Sequence, residues 1–312
     1  MSSSMILILM ILKICKGYTP SLVDQLAFSR EGHAKLPKLL RLSTVQMLYT
    51  DCSRFCSENV LSAWQQKVEV HLKHDKKFDK TQFSTIESCQ AFLESEGTGG
   101  IPFLQHFNPD LEAVKDVVGV TSQLAKTFLG VGKVRLYQTS LFLKRAVDHP
   151  TPFHSDIPMT PFDTNSMITF WIPLNAGGVK AGGSGLQFVD RSHVDIALQF
   201  FKNNNNNKRK KRKRKKEEED LSTRYANVSN HLPLQEGDAT IHNGWLLHAS
   251  GRENCGCERL ALAITFVDAD ATVRVGFGKE ESGNSGYGED KRSFENWIGR
   301  AKEGSTPPLP VY

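Results

Sequence analysis

Between residues 20 and 130 apolar side chains recur with a period near 3.6, which predicts helices with short interruptions. Leu22, Leu26, Leu36, Leu39 and Leu40 bracket Arg30-Glu31-Gly32-His33, which reads as a helix end passing into a short strand or turn. From Ser43 to His74 the series Val45, Leu48, Tyr49, Phe55, Val60, Leu61, Trp64, Val68 and Leu72 predicts an amphipathic helix with one face on a core. His71 and His74, set among lysines, read as its solvated face. Residues 96–100 break the chain, and Pro109-Asp110-Leu111 opens another helix, running through Val117, Leu124 and Phe128 to Gly130 and Gly132. After these glycines the period falls to 2. Val134 to Lys144 alternates with apolar residues on both faces, as a strand inside a sandwich does. Ser166–Leu174, Leu186–Val189, Ala239–His248 and Arg259–Val267 read as further strands, with a glycine-rich turn at 177–185 and another turn at 250–258. Strands following a helical front half predict an α+β fold with a mainly β core: a double-stranded β-helix (cupin-like jelly roll) under N-terminal helical cover.

Composition narrows this further. A chain of 312 residues, 39% hydrophobic and 9% aromatic, suits a globular protein with a sizeable core. The net charge of +5 is local: residues 208–216 are nine consecutive bases and 217–220 four acids, which account for the whole excess. The rest is formally neutral, so the folded domain lacks the spread basic footprint of a nucleic-acid binder. Residues 203–220 form a low-complexity insert, which a surface loop tolerates because closure cost grows slowly with length. Six cysteines are too few for a disulfide framework, and Cys255-Gly-Cys257 lacks partners at zinc spacing. Met5 to Leu12 is apolar but far shorter than a membrane span. The expected organisation is a leader at 1–17, one domain at 18–275 and a Gly-, Ser- and Pro-rich tail at 276–312, docked through Phe294, Trp297 and Ile298. The cytoplasm is the expected compartment. The leader leaves a secretory or organellar address open, and the insert leaves a nuclear one open.

Candidate chemistry centres on Pro152-Phe153-His154-Ser155-Asp156. Side chains two apart on a strand leave the same face, so His154 and Asp156 can converge on one metal ion. One more histidine completes the two-His, one-carboxylate set that holds non-haem Fe(II) and leaves positions open. His242 and His248, six apart on the expected strand, are both candidates. Arg259 follows His248 by eleven residues, at the start of the strand expected to return as the second arm of a hairpin. There it can grip a carboxylate through two nitrogens, as a lysine cannot. Fe(II), two His, one Asp and an anchoring Arg are what a 2-oxoglutarate-dependent oxygenase needs.

His154-Ser-Asp156, Gly237-Asp238 leading to His242-Asn-Gly-Trp-Leu-Leu-His248-Ala-Ser-Gly, Asn254 and Arg259 resemble the phytanoyl-CoA dioxygenase family. The likeness runs from about Val134 to Val267, with a looser one around Phe28-Ser-Arg-Glu-Gly32. The resemblance implies His154, Asp156 and His248 as iron ligands and Arg259 on the distal carboxylate of 2-oxoglutarate. It implies Trp171, Gln138 and Lys144 as further cosubstrate contacts, and His242 as a pocket histidine. Asp190-Arg-Ser-His193 departs from the family's Pro-Gly-Ser-His turn, so His193 reads as structural. The implied reaction consumes O2 and converts 2-oxoglutarate to succinate and CO2 while hydroxylating a small molecule, such as an acyl-CoA or another metabolite. Related halogenases lack the carboxylate that Asp156 supplies. Two other readings stand beside this one: a non-catalytic jelly-roll binder tethered to polyanions by its basic insert, and a cupin-like metal protein that leaves Arg259 unexplained. Oligomeric state is left open.

Overall fold

Ser21 starts the first helix. Its hydroxyl accepts the Asp24 N–H at 3.1 Å while the Asp24 carboxylate accepts the Ser21 N–H at 2.8 Å, a reciprocal cap that fixes the start of α1 (Leu22–Glu31). Gly32, at φ 86°, ends it and lets the chain turn into β1 (His33–Leu36); a Cβ there would fall 2.5 Å from His193 Nδ1. The computed structural model describes residues 18–72, 78–96, 103–106, 111–146, 148–195, 227–253, 258–274 and 301–312. The apolar leader, the basic insert, His74, Asn254, Cys255-Gly-Cys257, Phe294, Trp297, Ile298 and the side chain of His71 lie outside the described residues.

Three more helices follow: α2 (Leu42–His71), α3 (Ile86–Ser95) and α4 (Glu112–Leu129). Between the last two lies β2 (Phe103–His106), a strand the sequence pattern did not show because it is only four residues long. The remaining strands are β3 (Val134–Lys144), β4 (Thr151–His154), β5 (Phe162–Asp163), β6 (Met167–Pro173), β7 (Leu186–Val189), β8 (Val228–Asn230), β9 (Ala239–Asn243), β10 (His248–Ser250), β11 (Arg259–Asp268) and β12 (Thr272–Val273). They form a six-stranded sheet in the order β1-β9-β6-β11-β3-β2 and a four-stranded sheet in the order β4-β10-β7-β8, with β12 and β5 as a separate pair. Every strand pairing is antiparallel, and non-sequential neighbours lie side by side, as in a jelly roll.

Alternation along β6 and β11 divides the large sheet into two faces. Ile168, Phe170, Ile172, Leu260, Leu262 and Ile264 point outward and are buried against Phe28 of α1, Val45 and Leu48 of α2, and Val117 and Leu124 of α4. Each such side chain contributes roughly 1.5–3 kcal/mol on burial, which is why the helical half and the sheet hold as one core. The intervening residues Thr169, Trp171, Ala261, Ala263 and Thr265 face the other way, into the jelly roll. Cys52, Cys56 and Cys89 are free buried thiols, and burial pushes the first two up to about 12 and about 11. Among the described residues no helix is long and apolar enough to cross a membrane.

Two expectations are corrected. Ala239 to His248 is not one strand: β9 lies in the large sheet and β10 in the small one. Asn243 breaks the run, its side-chain oxygen accepting the Trp245 N–H at 2.9 Å and its carbonyl the Leu246 N–H at 2.9 Å. For the same reason β10 and β11 are not arms of a hairpin; β11 pairs with β3 and β6. The described end of the chain, residues 301–312, docks through contacts that the sequence reading did not name. Tyr312 and Val134 exchange backbone hydrogen bonds, Leu136 N–H donates to Pro310 O at 3.0 Å, and Leu309 is buried with Tyr137 and Phe162.

Candidate metal centre

The site is built where β4 pairs with β10 in the four-stranded sheet. His154 and His248 are direct partners across that pair, with ring centroids 4.3 Å apart. Asp156 follows at the end of β4. Its backbone N–H donates to Gly244 O at 2.8 Å, and the Ile157 N–H donates to the same oxygen at 3.0 Å. The turn between the two candidate histidines therefore anchors the carboxylate. Gly244 is required there, because a Cβ would lie 2.7 Å from Ile157 Cγ1.

One donor atom from each of His154, Asp156 and His248 lies within 4.8 Å of the others. His248 Nε2 is 3.5 Å and His154 Nε2 is 3.8 Å from Asp156 Oδ1. The opposite ring nitrogens are engaged: His154 Nδ1 donates to Pro152 O at 2.8 Å and His248 Nδ1 to Leu246 O at 3.0 Å. With those protons assigned by their partners, both Nε2 lone pairs point at a carboxylate oxygen. Two neutral nitrogens facing an anionic oxygen repel one another unless a cation lies between them, so the set fits a divalent metal. Burial holds His248 down at about 3, helped by His242, which keeps its imidazole neutral. Burial alone would raise the Asp156 carboxyl, but His248, His242 and His154 together outweigh it and hold it below the usual carboxylate range.

His242 meets the other oxygen, Asp156 Oδ2, at 3.3 Å, and Thr169 Oγ1 donates to that oxygen at 3.2 Å. Register then lays out the inner face in rows. His242, Thr169, Thr265 and Gln138 lie abreast across β9, β6, β11 and β3 beside the acid. The next row is Thr240, Trp171, Ala263 and Ser140, the one after that holds Ala261 and Phe142, and Arg259 faces Lys144 at the end. Between the acid and the cations the central strand carries two alanines, Ala261 and Ala263, buried with Trp171, Val179 and Leu234.

At the far end Arg259 is 4% exposed. It donates from Nη1 to Ser184 O at 2.6 Å, and its guanidinium lies 5.0 Å from the Trp171 ring centre. Burial lowers it to about 10, against the pull of Glu253, so it stays charged at neutral pH. Lys144 is fully buried and donates to Ser250 O and Oγ at 3.2 and 3.3 Å. Glu253, also buried, accepts from the Ser184 hydroxyl. Two cations against one carboxylate leave this end a single positive charge in excess. Five buried atoms lack a hydrogen-bond partner on this inner face: Gln138 Oε1, Ser140 Oγ, Thr240 Oγ1, His242 Nδ1 and Arg259 Nε. Orphaned polar atoms are costly, and here they share one face of the large sheet, which suits a polar ligand.

Of the seven residues singled out from the sequence, Gln138, Trp171, Lys144 and Arg259 thus share one face of the large sheet, and His154, Asp156 and His248 gather beside its first row. Thr169, Gly244, Ser184 and Glu253 were missed. Thr169 was within reach, since it shares the parity of Trp171 on β6; the others act through turns whose geometry no periodicity reports. His193 is structural, as expected, its ring bonded to Ser29 O at 3.0 Å.

A scan against protein families matches residues 28–261 to phytanoyl-CoA dioxygenase (PhyH). The chain belongs to the phytanoyl-CoA dioxygenase family. It is accordingly a non-haem dioxygenase, with Fe(II) and 2-oxoglutarate as cofactors and O2 as co-reactant. Among solved structures the fold is similar to that of the non-heme alpha ketoglutarate dependent carbocyclase SnoK from nogalamycin biosynthesis, at TM-score 0.56 and 18% identity over 94% of this chain and 96% of that one. The epimerase SnoN in complex with Fe3+, alpha ketoglutarate and nogalamycin RO aligns at TM-score 0.57 and 17% identity over 93% of this chain and 97% of that one. EctD from S. alaskensis, with 2-oxoglutarate and 5-hydroxyectoine, aligns at TM-score 0.53 and 14% identity over 84% and 81%. At these identities the likeness establishes the jelly-roll fold. A search of curated proteins finds no match.

Proposed function

We propose that this dioxygenase binds Fe(II) through His154, Asp156 and His248 and hydroxylates a small organic substrate, an acyl-CoA or another metabolite. One O2 is used: one oxygen atom goes to the substrate and the other to succinate, as 2-oxoglutarate loses CO2. The observation that carries the reading is the convergence of the His154 and His248 imidazoles and one Asp156 oxygen within 4.8 Å, with the protonated nitrogens turned away. The metal supplies oxygen activation when bound. The chain's own residues supply geometry: Arg259 and Lys144 hold the far carboxylate of 2-oxoglutarate, Trp171 flanks it, and Gln138 meets its polar end near the acid. Asp156 occupies the place that a halide takes in related halogenases, which favours hydroxylation over halogen transfer. Anaerobic binding of Fe(II) and 2-oxoglutarate, followed by a metabolite-extract screen for substrate-stimulated succinate, tests the proposal; absence of 2-oxoglutarate binding in the presence of metal removes it.

The assignment of Lys144 has its own signature. Burial first, and then Arg259, lower its ammonium to about 8, against Asp148 and Glu253, which raise it. The charge is present below that value and lost above it. Affinity for 2-oxoglutarate is therefore expected to fall as pH rises through about 8, and Lys144→Met is expected to flatten that dependence in a calorimetric titration. An unchanged profile in the variant would give the effect to another group.

The runner-up reading, a binder tethered by residues 208–216, makes an opposite prediction for deletion of residues 203–220. β7 and β8 are paired in register, Phe188 to Ser229 and Val189 to Val228, so the deletion only shortens the connection between adjacent strands. 2-Oxoglutarate turnover is expected to stay within about twofold of the intact protein, since that closure term changes by only about 0.6 kcal/mol per doubling of length. A tether-driven binder would instead lose its salt-dependent polyanion affinity on this deletion.

A further inference from the structure

The two oxygens of Asp156 keep different company. Oδ1 faces the Nε2 atoms of His154 and His248, whereas Oδ2 is met by Thr169 Oγ1 at 3.2 Å and His242 Nε2 at 3.3 Å. His242 is 2% exposed, and its Nδ1 has no partner. Unlike the Nδ1 atoms of His154 and His248, His242 Nδ1 has no acceptor to hold a hydrogen, so Nε2–H donates to Oδ2 and Nδ1 keeps its lone pair. The other tautomer would bury an unpartnered N–H and set two acceptors against each other.

Neither donor is free to follow a moving carboxylate. Thr169 Oγ1 is also hydrogen-bonded to Thr265 Oγ1 at 3.1 Å, and its backbone lies between β9 and β11. The His242 ring is wedged between rings, with centroids 4.2 Å from His248 and 5.9 Å from Phe188. Its partner across the sheet, His33, is itself fixed by Asp190 at 2.9 Å and His231 at 2.8 Å.

We infer that His242 is a positioning residue: with Thr169 it ties down Oδ2, so that Asp156 offers a metal one oxygen and not two. The inference rests on the metal-site reading above and deepens it. A carboxylate free to rotate can chelate through both oxygens, filling a position that the 2-oxo acid end of the cosubstrate requires. In this account His242 acts on cosubstrate binding through Asp156, without touching cosubstrate or metal.

The test uses the full-length protein stripped of metal. Mn(II) binding is followed by electron paramagnetic resonance, and 2-oxoglutarate binding by calorimetry at saturating Mn(II) without oxygen. His242→Leu is expected to bind Mn(II) no worse than about tenfold below the wild type. At saturating Mn(II) it is expected to bind 2-oxoglutarate about tenfold more weakly. His242→Gln, whose amide N–H reaches a similar place, restores the affinity. Thr169→Val keeps the shape without the hydroxyl and is expected to weaken 2-oxoglutarate about threefold; it carries the test should His242→Leu fail to fold. Undiminished 2-oxoglutarate affinity in the variants overturns the inference, as does a loss that His242→Gln does not restore. Loss of Mn(II) binding in His242→Leu by more than about a hundredfold also overturns it, because it makes His242 a ligand. Equal Mn(II) binding by the wild type and Asp156→Ala is a separate result: it removes the metal site itself, whatever the His242 variants do.

Discussion

Asp156→Ala is expected to abolish succinate formation coupled to substrate, a loss of more than about a hundredfold, since even the groups that merely orient metal ligands are worth ten- to a hundredfold. The reason lies in the charge balance. Asp156 is the single carboxylate in the three-residue set, and a histidine that ligates a metal does so through a neutral imidazole. Without it, two nitrogens are left to hold a divalent ion, and Thr169 and His242 lose the acceptor they share. The measurement is a coupled assay for succinate alongside Mn(II) titration of the purified variant. Unaltered turnover with intact metal affinity would remove Asp156 from the metal site. Folding is not the expected casualty, because the backbone hydrogen bonds from Asp156 and Ile157 to Gly244 do not depend on the side chain.

Arg259→Ala is expected to separate the two ligands. Truncating one member of a buried charge pair costs about 2–5 kcal/mol, so 2-oxoglutarate affinity should fall by at least about thirtyfold. Mn(II) affinity should change by less than about threefold, equivalent to under about 0.7 kcal/mol, because Arg259 lies three rows from the acid along β11. Arg259→Lys is expected to rescue only part of the loss: an ammonium cannot hold Ser184 O and two carboxylate oxygens in one plane. Paired titrations of metal and cosubstrate check this, and equal losses of both would argue against the role assigned to Arg259.

Much of this was readable from residue order, for physical reasons. A strand projects every second side chain to one side, so His154 and Asp156 declared themselves as a pair, and Leu260 to Val267 announced a central strand by having no polar face to spare. The helical half was equally plain, because α2 and α4 show their buried stripes at a period of 3.6. What the pattern concealed was the break at Asn243-Gly244. Residues 239–248 are apolar enough on both sides to pass for one strand, and only the side-chain turn at Asn243 shows that the chain changes sheets there. His242 and His248 were expected to share a face of one strand; they come together from different sheets instead. The seating of the last residues against β3 was hidden for a similar reason, since the backbone hydrogen bonds that Pro310 O accepts from Leu136 and that Tyr312 exchanges with Val134 ask little of side-chain identity.

The placement of Ala261 and Ala263 has one further result. Under the proposed assignment, the acid-side row and the guanidinium row are bolted to the same strand, which cannot stretch, and the floor between them is methyl groups. Such a seat works as a caliper. A four-carbon oxo diacid falls short of one jaw, a six-carbon one must buckle, and a bulkier residue at position 263 would reset the gap.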